Sequence, residues 1–417
     1  MKTEIFDYGM NGEGVGKIDG KIVLLPNSLP FEVVNFEIEQ DNSNFCVGNV
    51  LEIENMSEKR TTPPCPYYLE CGGCDLQHIK YDEQLNFKRL LVKKTLKKVA
   101  NIDVEVQSTV ESFFQFGYRN KLSLNIKNSK CGFFKAGSKQ LVEINKCLLA
   151  NKTITEISQF VVNELKDYAF NVKNLVVRNI NNQTLIGIVT TKLLNFDALC
   201  EKVLNKFKNV GIYQVVNTRK DSVVLDGKTI HVGGIKEIQI ENFGLNYSVD
   251  LLGFHQTNED IQNKIYSTVV NMIDEQACVL NGFSGQGLLS AIIAKKAKQV
   301  YGIEINLNSH KSAEKLKKDN KVKNLTNICG DFYKQFDKIK EKVNTIVLDP
   351  AKKGCGKQAM CAIMGVENII YISCNPIALA KDLREILSDY EIETVIPFDM
   401  FPNTKNVETL VKLRIKK

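Results

Sequence analysis

Tryptophan is missing from all 417 residues, so any stacking on a flat ligand falls to phenylalanine and tyrosine. No apolar run approaches the ~18–20 residues of a membrane span. The N-terminus, MKTEIFDYGM, lacks the charged stretch followed by an apolar one that marks a secretory leader. A strong charge imbalance is also lacking: 55 basic residues against 48 acidic leave +7. That excess permits a polyanionic partner such as RNA without demanding one. An AT-rich genome would produce the same richness in lysine, asparagine and isoleucine. Together these absences point to a cytoplasmic protein whose 12 cysteines are reduced thiols or metal ligands, not disulfides. The 43% hydrophobic and 25% charged residues fit folded units with real cores, and the length suffices for two or three of them.

Three regions follow from the patterning. Residues 1–58 alternate β-branched residues with Gly, Asn and Pro, as in "YGMNGEGVGKIDGKIVLLPNSLP" and "EVVNFEIEQ", which suggests a small antiparallel β-barrel. Pro63-Pro64 closes a polar boundary segment. Residues 59–244 read as mixed α and β. There "EQLNFKRLLVKKTLKKVA" (83–100) predicts a helix with Leu85, Leu91, Leu96 and Val99 on one face. Its other face carries Lys88, Arg89, Lys93, Lys94, Lys97 and Lys98, a solvated stripe or a phosphate-binding one. "FFQFGYRNKLSLNIK" alternates like a strand. Its Phe114, Phe116, Tyr118, Arg119 and Lys121 are candidates for holding RNA, with the phenylalanines better suited to core packing and Arg119 the foremost phosphate contact. Residues 245–417 alternate strand and helix, which predicts a doubly wound, mainly parallel sheet.

"CPYYLECGGCDLQH" (65–78) gathers Cys65, Cys71 and Cys74 and then His78. His78 would complete a Cys3His zinc site, whereas a fourth cysteine, Cys131 or Cys147, would complete the donor set of a [4Fe–4S] cluster. Cys200, Cys278 and Cys329 are expected to be packing thiols. "LNGFSGQG" (280–287) follows a strand and opens a helix, and Glu304 ends the next strand 19 residues after Gly285. Such a turn lets the backbone approach a nucleoside-containing cofactor, and the carboxylate accepts hydrogen bonds from ribose hydroxyls. The third glycine of a dinucleotide fingerprint is absent, which favours S-adenosylmethionine over NAD. "DPAKKG" (349–354) and "YISCNP" (371–376) each finish a strand where an open α/β sheet exposes its working residues, and they place Cys374 at a strand end. Position alone leaves nucleophile and packing thiol evenly matched for Cys374.

Over nearly its whole length the chain resembles the S-adenosylmethionine-dependent RNA uracil-5 methyltransferases. It is most similar to their iron–sulfur branch, the 23S ribosomal RNA (uracil-5-)-methyltransferases. The segment from Asn11 to Pro30 looks like that branch's N-terminal TRAM barrel. "CPYYLECGGCDLQH" and "GFFKAGSKQLVEINKC" look like its cluster-binding segments. "FHQTN", "DPAKKG", "YISCNPIALAKDL" and "DMFPNTKNVETL" look like its catalytic motifs, in order. The resemblance implies Cys374 as nucleophile, Glu408 as general base, and Gln256, Phe283, Glu304, Asp349 and Asp331 as cofactor-site residues. It also implies Cys65, Cys71, Cys74 and Cys147 as cluster ligands. A monomer acting on RNA follows, with 23S ribosomal RNA ahead of transfer RNA, and a non-catalytic RNA-binding protein as the remaining alternative. The chain departs from the family at Asn281, Ser284, Ala351 and Asn406, where Asp, Cys, Pro and His are common.

Overall fold

The computed structural model describes residues 1–416 except 129, 169 and 222. Among them, no helix is long and apolar enough to cross a membrane. The first six strands form one sheet in the order Lys2–Glu4, Val33–Asp41, Phe45–Asn55, Lys21–Leu25, Gly14–Ile18, Asp7–Tyr8. All neighbours are antiparallel except Lys21–Leu25 with Phe45–Asn55, which run parallel. Alternate residues face a small core of Ile5, Val23, Leu25, Val34, Phe36 and Cys46. The sheet curls so far that the Thr3 hydroxyl donates to the carbonyl of Lys17 at 2.9 Å.

The helix Tyr81–Ala100 ends on Asn101 in the left-handed conformation; the N–H of Asn101 donates to the carbonyl of Lys97 and that of Ile102 to the carbonyl of Leu96. Its buried stripe is Gln84, Phe87, Lys88, Val92, Thr95 and Leu96. Lys88 therefore does not belong to the solvated basic face expected of it. Its ammonium is fully buried, ion-paired with Asp399, and donates to the carbonyl of Phe401 at 2.9 Å. Burial pushes its pKa down, with Asp399 opposing. Val92 and Leu96 pack in one cluster with Leu383, Ile386 and Val411 of the C-terminal region, so this helix shares that region's core.

A second, seven-stranded sheet runs Lys228–Gly234, Val210–Val216, Gln183–Thr190, Val172–Ile180, Lys121–Lys127, Lys130–Phe134, Leu141–Glu143. The helices Lys152–Glu164 and Asp197–Lys206 cover one face. The expected strand over 113–127 begins only at Lys121. Ahead of it Gly117 takes a φ of +68°, and the backbone N–H groups of Gly117, Arg119 and Asn120 reach out to Leu148, Leu149 and Thr257 instead of a sheet neighbour. Phe114 is 57% exposed, not a core residue. The hairpin Ile238–Asn242/Leu245–Val249 straddles the boundary expected at 244/245. It packs its apolar face into a cluster shared by both regions.

The C-terminal sheet has strands β1 (Cys278–Gly282), β2 (Gln299–Glu304), β3 (Leu325–Cys329), β4 (Thr345–Leu348), β5 (Asn368–Ser373), β6 (Tyr390–Phe398) and β7 (Glu408–Ile415) in the order β3-β2-β1-β4-β5-β7-β6. The first five are parallel, and helices cover both faces, which explains the near-continuous apolar runs of β1, β4 and β5. β7 lies antiparallel between β5 and β6. Cys329, at the end of the edge strand β3, is exposed, so it is not the packing thiol expected; Cys200 is buried as expected.

Candidate active site

The strand order reverses between β1 and β4, and ligands of open α/β sheets bind in the crevice outside the carboxyl ends of strands at such a point. A cavity of about 460 Å³ lies there. The loops after β1, β4 and β5 reach it from one side. β7 arrives from the other direction, and its register explains the rest. Ser373 at the end of β5 pairs with Thr409 near the start of β7. Cys374 and Glu408, the next residue out on each strand, are thereby brought to the same end of the sheet, and both line the cavity. Asn375 fixes the chain after the thiol. Its side chain accepts from the N–H of Ile377 to cap the helix Pro376–Arg384 and donates to the carbonyl of Lys352 at 3.0 Å.

Three acidic groups share this pocket. Glu408 is only 4% exposed, and burial, reinforced by the charge of Asp349, pushes its pKa well above the ordinary carboxyl value. Burial raises Asp349 to about 7. Cys374 is pushed up to about 11, chiefly by burial and then by Glu408 and Asp349, while Lys352 pulls the other way. The pocket therefore holds Cys374 as a thiol beside a glutamate whose proton affinity is raised.

Of the residues expected from sequence, Gln256, Phe283, Asp349, Cys374 and Glu408 line this one cavity. Phe283 adopts a left-handed φ of +62° and stacks on Phe332 with ring centroids 5.0 Å apart, which holds the strained turn in place. Glu304 lies outside the lining. Its Oε2 accepts from the N–H of Gly285 at 2.9 Å and its Oε1 from that of Asn306, so its carboxylate first of all pins the glycine-rich turn. Asp331 is also outside; it caps the helix Phe332–Phe336 through the N–H of Lys334. Sequence reading missed Lys352, Tyr266 and Phe401 on the wall. Lys352 was visible in "DPAKKG". Tyr266 carried no signal, because within the helix Glu259–Asn271 it reads as one more apolar face residue.

A second cavity, of about 130 Å³, is lined by Cys65, Cys71, Cys74 and Cys147 together with Arg119. Burial raises the thiols of Cys65 and Cys71, and that of Cys74 to about 12. Among the described residues no three His, Cys, Asp or Glu side chains are grouped as a single metal ion would need. His78 is turned away: its Nδ1 lies 2.6 Å from the Tyr68 hydroxyl, which also contacts the carbonyl of Asp75, and burial drives its pKa down to about 3. Four thiols around one largely apolar cavity are a donor set that fits a multi-iron cluster and its soft-ligand preference. Arg119, expected to contact RNA, instead belongs to this wall, with its Nε 3.4 Å from the Tyr118 hydroxyl.

The segment after Cys74 also reaches the catalytic region. The N–H groups of Asp75 and Leu76 both donate to the carbonyl of Asn403 at 3.0 Å, and the Asp75 carboxylate accepts from the N–H of Lys405 at 3.1 Å. Those partners stand in the loop that leads into Glu408.

Comparison with known proteins agrees with this layout. The chain is 33% identical over 437 residues to an RNA methyltransferase of Clostridium tetani, covering 98% of this chain and 94% of the other. It is 30% identical over 446 residues to one of Listeria innocua, covering 100% and 98%. A crystal structure of the Pyrococcus abyssi tRNA (uracil-54, C5)-methyltransferase, in complex with S-adenosyl-L-homocysteine, shares the fold over 99% of both chains, with a TM-score of 0.80 and 24% identity. The family description tRNA (uracil-5-)-methyltransferase matches residues 80–416. The chain thus belongs to the tRNA (uracil-5-)-methyltransferase family and is an RNA uracil-5 methyltransferase.

Proposed function

We propose that the chain methylates carbon 5 of a uridine in 23S ribosomal RNA at the expense of S-adenosylmethionine, with Cys374 as nucleophile and Glu408 as base. The observation that carries this reading is the meeting of Cys374, Glu408 and Asp349 in one cavity at the switch point of the sheet. Gln256, Phe283 and Asp349 would hold the cofactor, with Glu304 supporting the turn beneath it and Asp331 at the more distant adenine side. When bound, the cofactor supplies an electrophilic sulfonium methyl group.

Carbon 5 of uracil is too weak a nucleophile to take that methyl directly. Cys374, its proton given up to solvent, bonds through Sγ to carbon 6, and the displaced electron pair makes carbon 5 nucleophilic. Once carbon 5 has been methylated, Glu408 in its carboxylate form takes the carbon 5 proton. The freed pair restores the 5,6 double bond and expels the Cys374 thiolate. A buried glutamate with a raised pKa is a strong base for that step. The target base must leave its stack, which costs a few kcal/mol unless it is already unpaired.

Cys65, Cys71, Cys74 and Cys147 would hold a [4Fe–4S] cluster. Methyl transfer from a sulfonium moves no net electrons, so the cluster's contribution is to tie two distant segments together. Residues 1–58 serve as a TRAM-like RNA-binding barrel, 59–244 as the cluster-bearing region and 245–417 as the catalytic one, in a cytoplasmic monomer. The family description also supports a second reading, the same reaction on transfer RNA. Mapping 5-methyluridine in both RNAs from a deletion strain separates the two. Iron and labile sulfide in anaerobically prepared protein support the cluster; stoichiometric zinc in such protein overturns it.

A further inference from the structure

Two cations stand opposite one another on paired strands beside the catalytic cavity. In the register of the central sheet, Arg178 of Val172–Ile180 faces Lys121, the first residue of Lys121–Lys127. Like charges directly opposite on a sheet destabilise it. Here the penalty is larger, since Arg178 is only 1% exposed and Lys121 is half-buried. Burial and the arginine together lower Lys121 to about 8, and burial lowers Arg178 to about 10.

A structural pair of this kind would be expected to have a carboxylate. None lies within ion-pairing distance among the described residues. Arg178 donates through Nη1 to the backbone carbonyl of Asp250 at 2.9 Å, and its buried Nε has no partner. The Asp250 carboxylate accepts from the N–H of Gly253 and acts on Arg178 only at longer range, where its charge opposes the lowering by burial. Glu259, the next acid along, is engaged by Asn120 at 3.1 Å and His255 at 3.3 Å. Lys121 makes no hydrogen bond or ion pair. A pair of cations with no carboxylate in contact carries a desolvation cost that an anion would relieve when the protein works.

The location indicates what that is. Asn120, next to Lys121, donates to the carbonyl of Gln256 at 2.9 Å and, through its backbone N–H, to that of Thr257 at 3.1 Å. Gln256 and Thr257 line the catalytic cavity, as do Phe254 and His255. The cation pair thus stands one residue from the contacts that hold the segment 254–257, which lines the catalytic cavity.

We propose that Lys121 and Arg178 form a binding site for a backbone phosphodiester of the RNA next to the target uridine, Lys121 making the contact and Arg178 supplying a fixed buried charge beneath it. The site rests on the RNA reading of the family and adds to it a specific oxyanion position. Of the RNA candidates named from sequence it favours Lys121 over Arg119.

The test compares Lys121→Met with Lys121→Arg for binding of a fluorescein-labelled uridine-rich oligoribonucleotide across a salt series, alongside S-adenosylhomocysteine affinity and thermal midpoint. Lys121→Met should weaken RNA binding roughly 5- to 10-fold and reduce the slope of log K against log salt by about 1. It should leave S-adenosylhomocysteine affinity unchanged and raise the thermal midpoint, because it removes an uncompensated charge. Lys121→Arg should keep the wild-type slope. Unchanged RNA affinity in Lys121→Met overturns the site, whatever the midpoint does. A loss of S-adenosylhomocysteine affinity with RNA binding intact overturns it too, by assigning the anion to the cofactor's carboxylate. Failure of the wild-type protein to bind any RNA would overturn the RNA reading itself, a separate result.

Discussion

Cys374 rests as a thiol because burial and two neighbouring acids oppose its ionisation, and Lys352 is the group that favours it. Cys374→Ala should abolish methylation. Glu408→Gln should leave the first bond-forming step intact and accumulate a protein–RNA adduct that survives denaturing electrophoresis; an active Cys374→Ala protein would refute the assignment. Asp349 offers a pH test with a definite sign. Its folded value of about 7 lies above the unfolded value of about 4, so the folded chain binds more protons between them. Its contribution to stability is greatest below pH ~4 and is lost as pH rises toward 7. Asp349→Asn should accordingly raise stability by about 1–3 kcal/mol at pH 8, the cavity water moderating the effect, and change little at pH 4. Thermal melts at the two pH values read this directly.

At the level of single elements, the loop after β4 is held by Asp382 on the helix Pro376–Arg384. Its carboxylate accepts from the N–H of Cys355 at 2.7 Å, the N–H of Gly356 at 3.0 Å and the Tyr371 hydroxyl at 2.6 Å. Gly354 takes a φ of +82°, and a Cβ there would lie 2.6 Å from the same carboxylate. This clamp sets where Lys352 stands relative to Cys374. Asp382→Asn should lower kcat about tenfold with little change in KM for RNA, whereas a general loss of folding would also lower soluble yield and melting temperature. The buried Lys88–Asp399 pair is a second element-scale anchor, joining the helix Tyr81–Ala100 to the segment after β6. Lys88→Ala should cost about 3–5 kcal/mol in urea denaturation, and a paired Lys88→Met, Asp399→Leu replacement markedly less.

These anchors also indicate what was legible in the sequence. Six of the seven C-terminal strands and the cofactor turn could be read directly, those buried on both faces announcing themselves as apolar runs; the edge strand Leu325–Cys329, mostly not buried, carries no such run and was not read. Glu408 could not be read in this way. Alone it resembles an edge-strand glutamate, and only the insertion of β7 between β5 and β6 makes it an interior residue facing Cys374. Lys88 misled for the opposite reason: its ion-pair partner is 311 residues away, and helical spacing alone sees a charged face. Arg119 sits in a motif rich in aromatic and basic residues that looks suited to RNA. Its position is fixed by the returning chain at Leu149, which local pattern does not encode.

Across the whole molecule, the cysteine segment and the catalytic loop form one mechanical unit. Asp75 and Leu76 hold the carbonyl of Asn403, and Asp75 also holds Lys405, three residues before Glu408. Asp75→Ala should therefore slow proton removal and lengthen the life of the covalent adduct, while S-adenosylhomocysteine affinity stays the same. Single-turnover kinetics separate adduct formation from its resolution.

The antiparallel insertion of β7 has a consequence in time as well as in space. The chain supplies the glycine-rich turn first, the proposed nucleophile next and the proposed base last, and β5 has no neighbour beyond it until the β6–β7 hairpin docks. During synthesis the growing polypeptide holds its reactive thiol before it holds the group that releases the product. With Cys374 and Glu408 in the roles proposed, a chain halted between them would lack the group that releases the product, and the final strand completes the site.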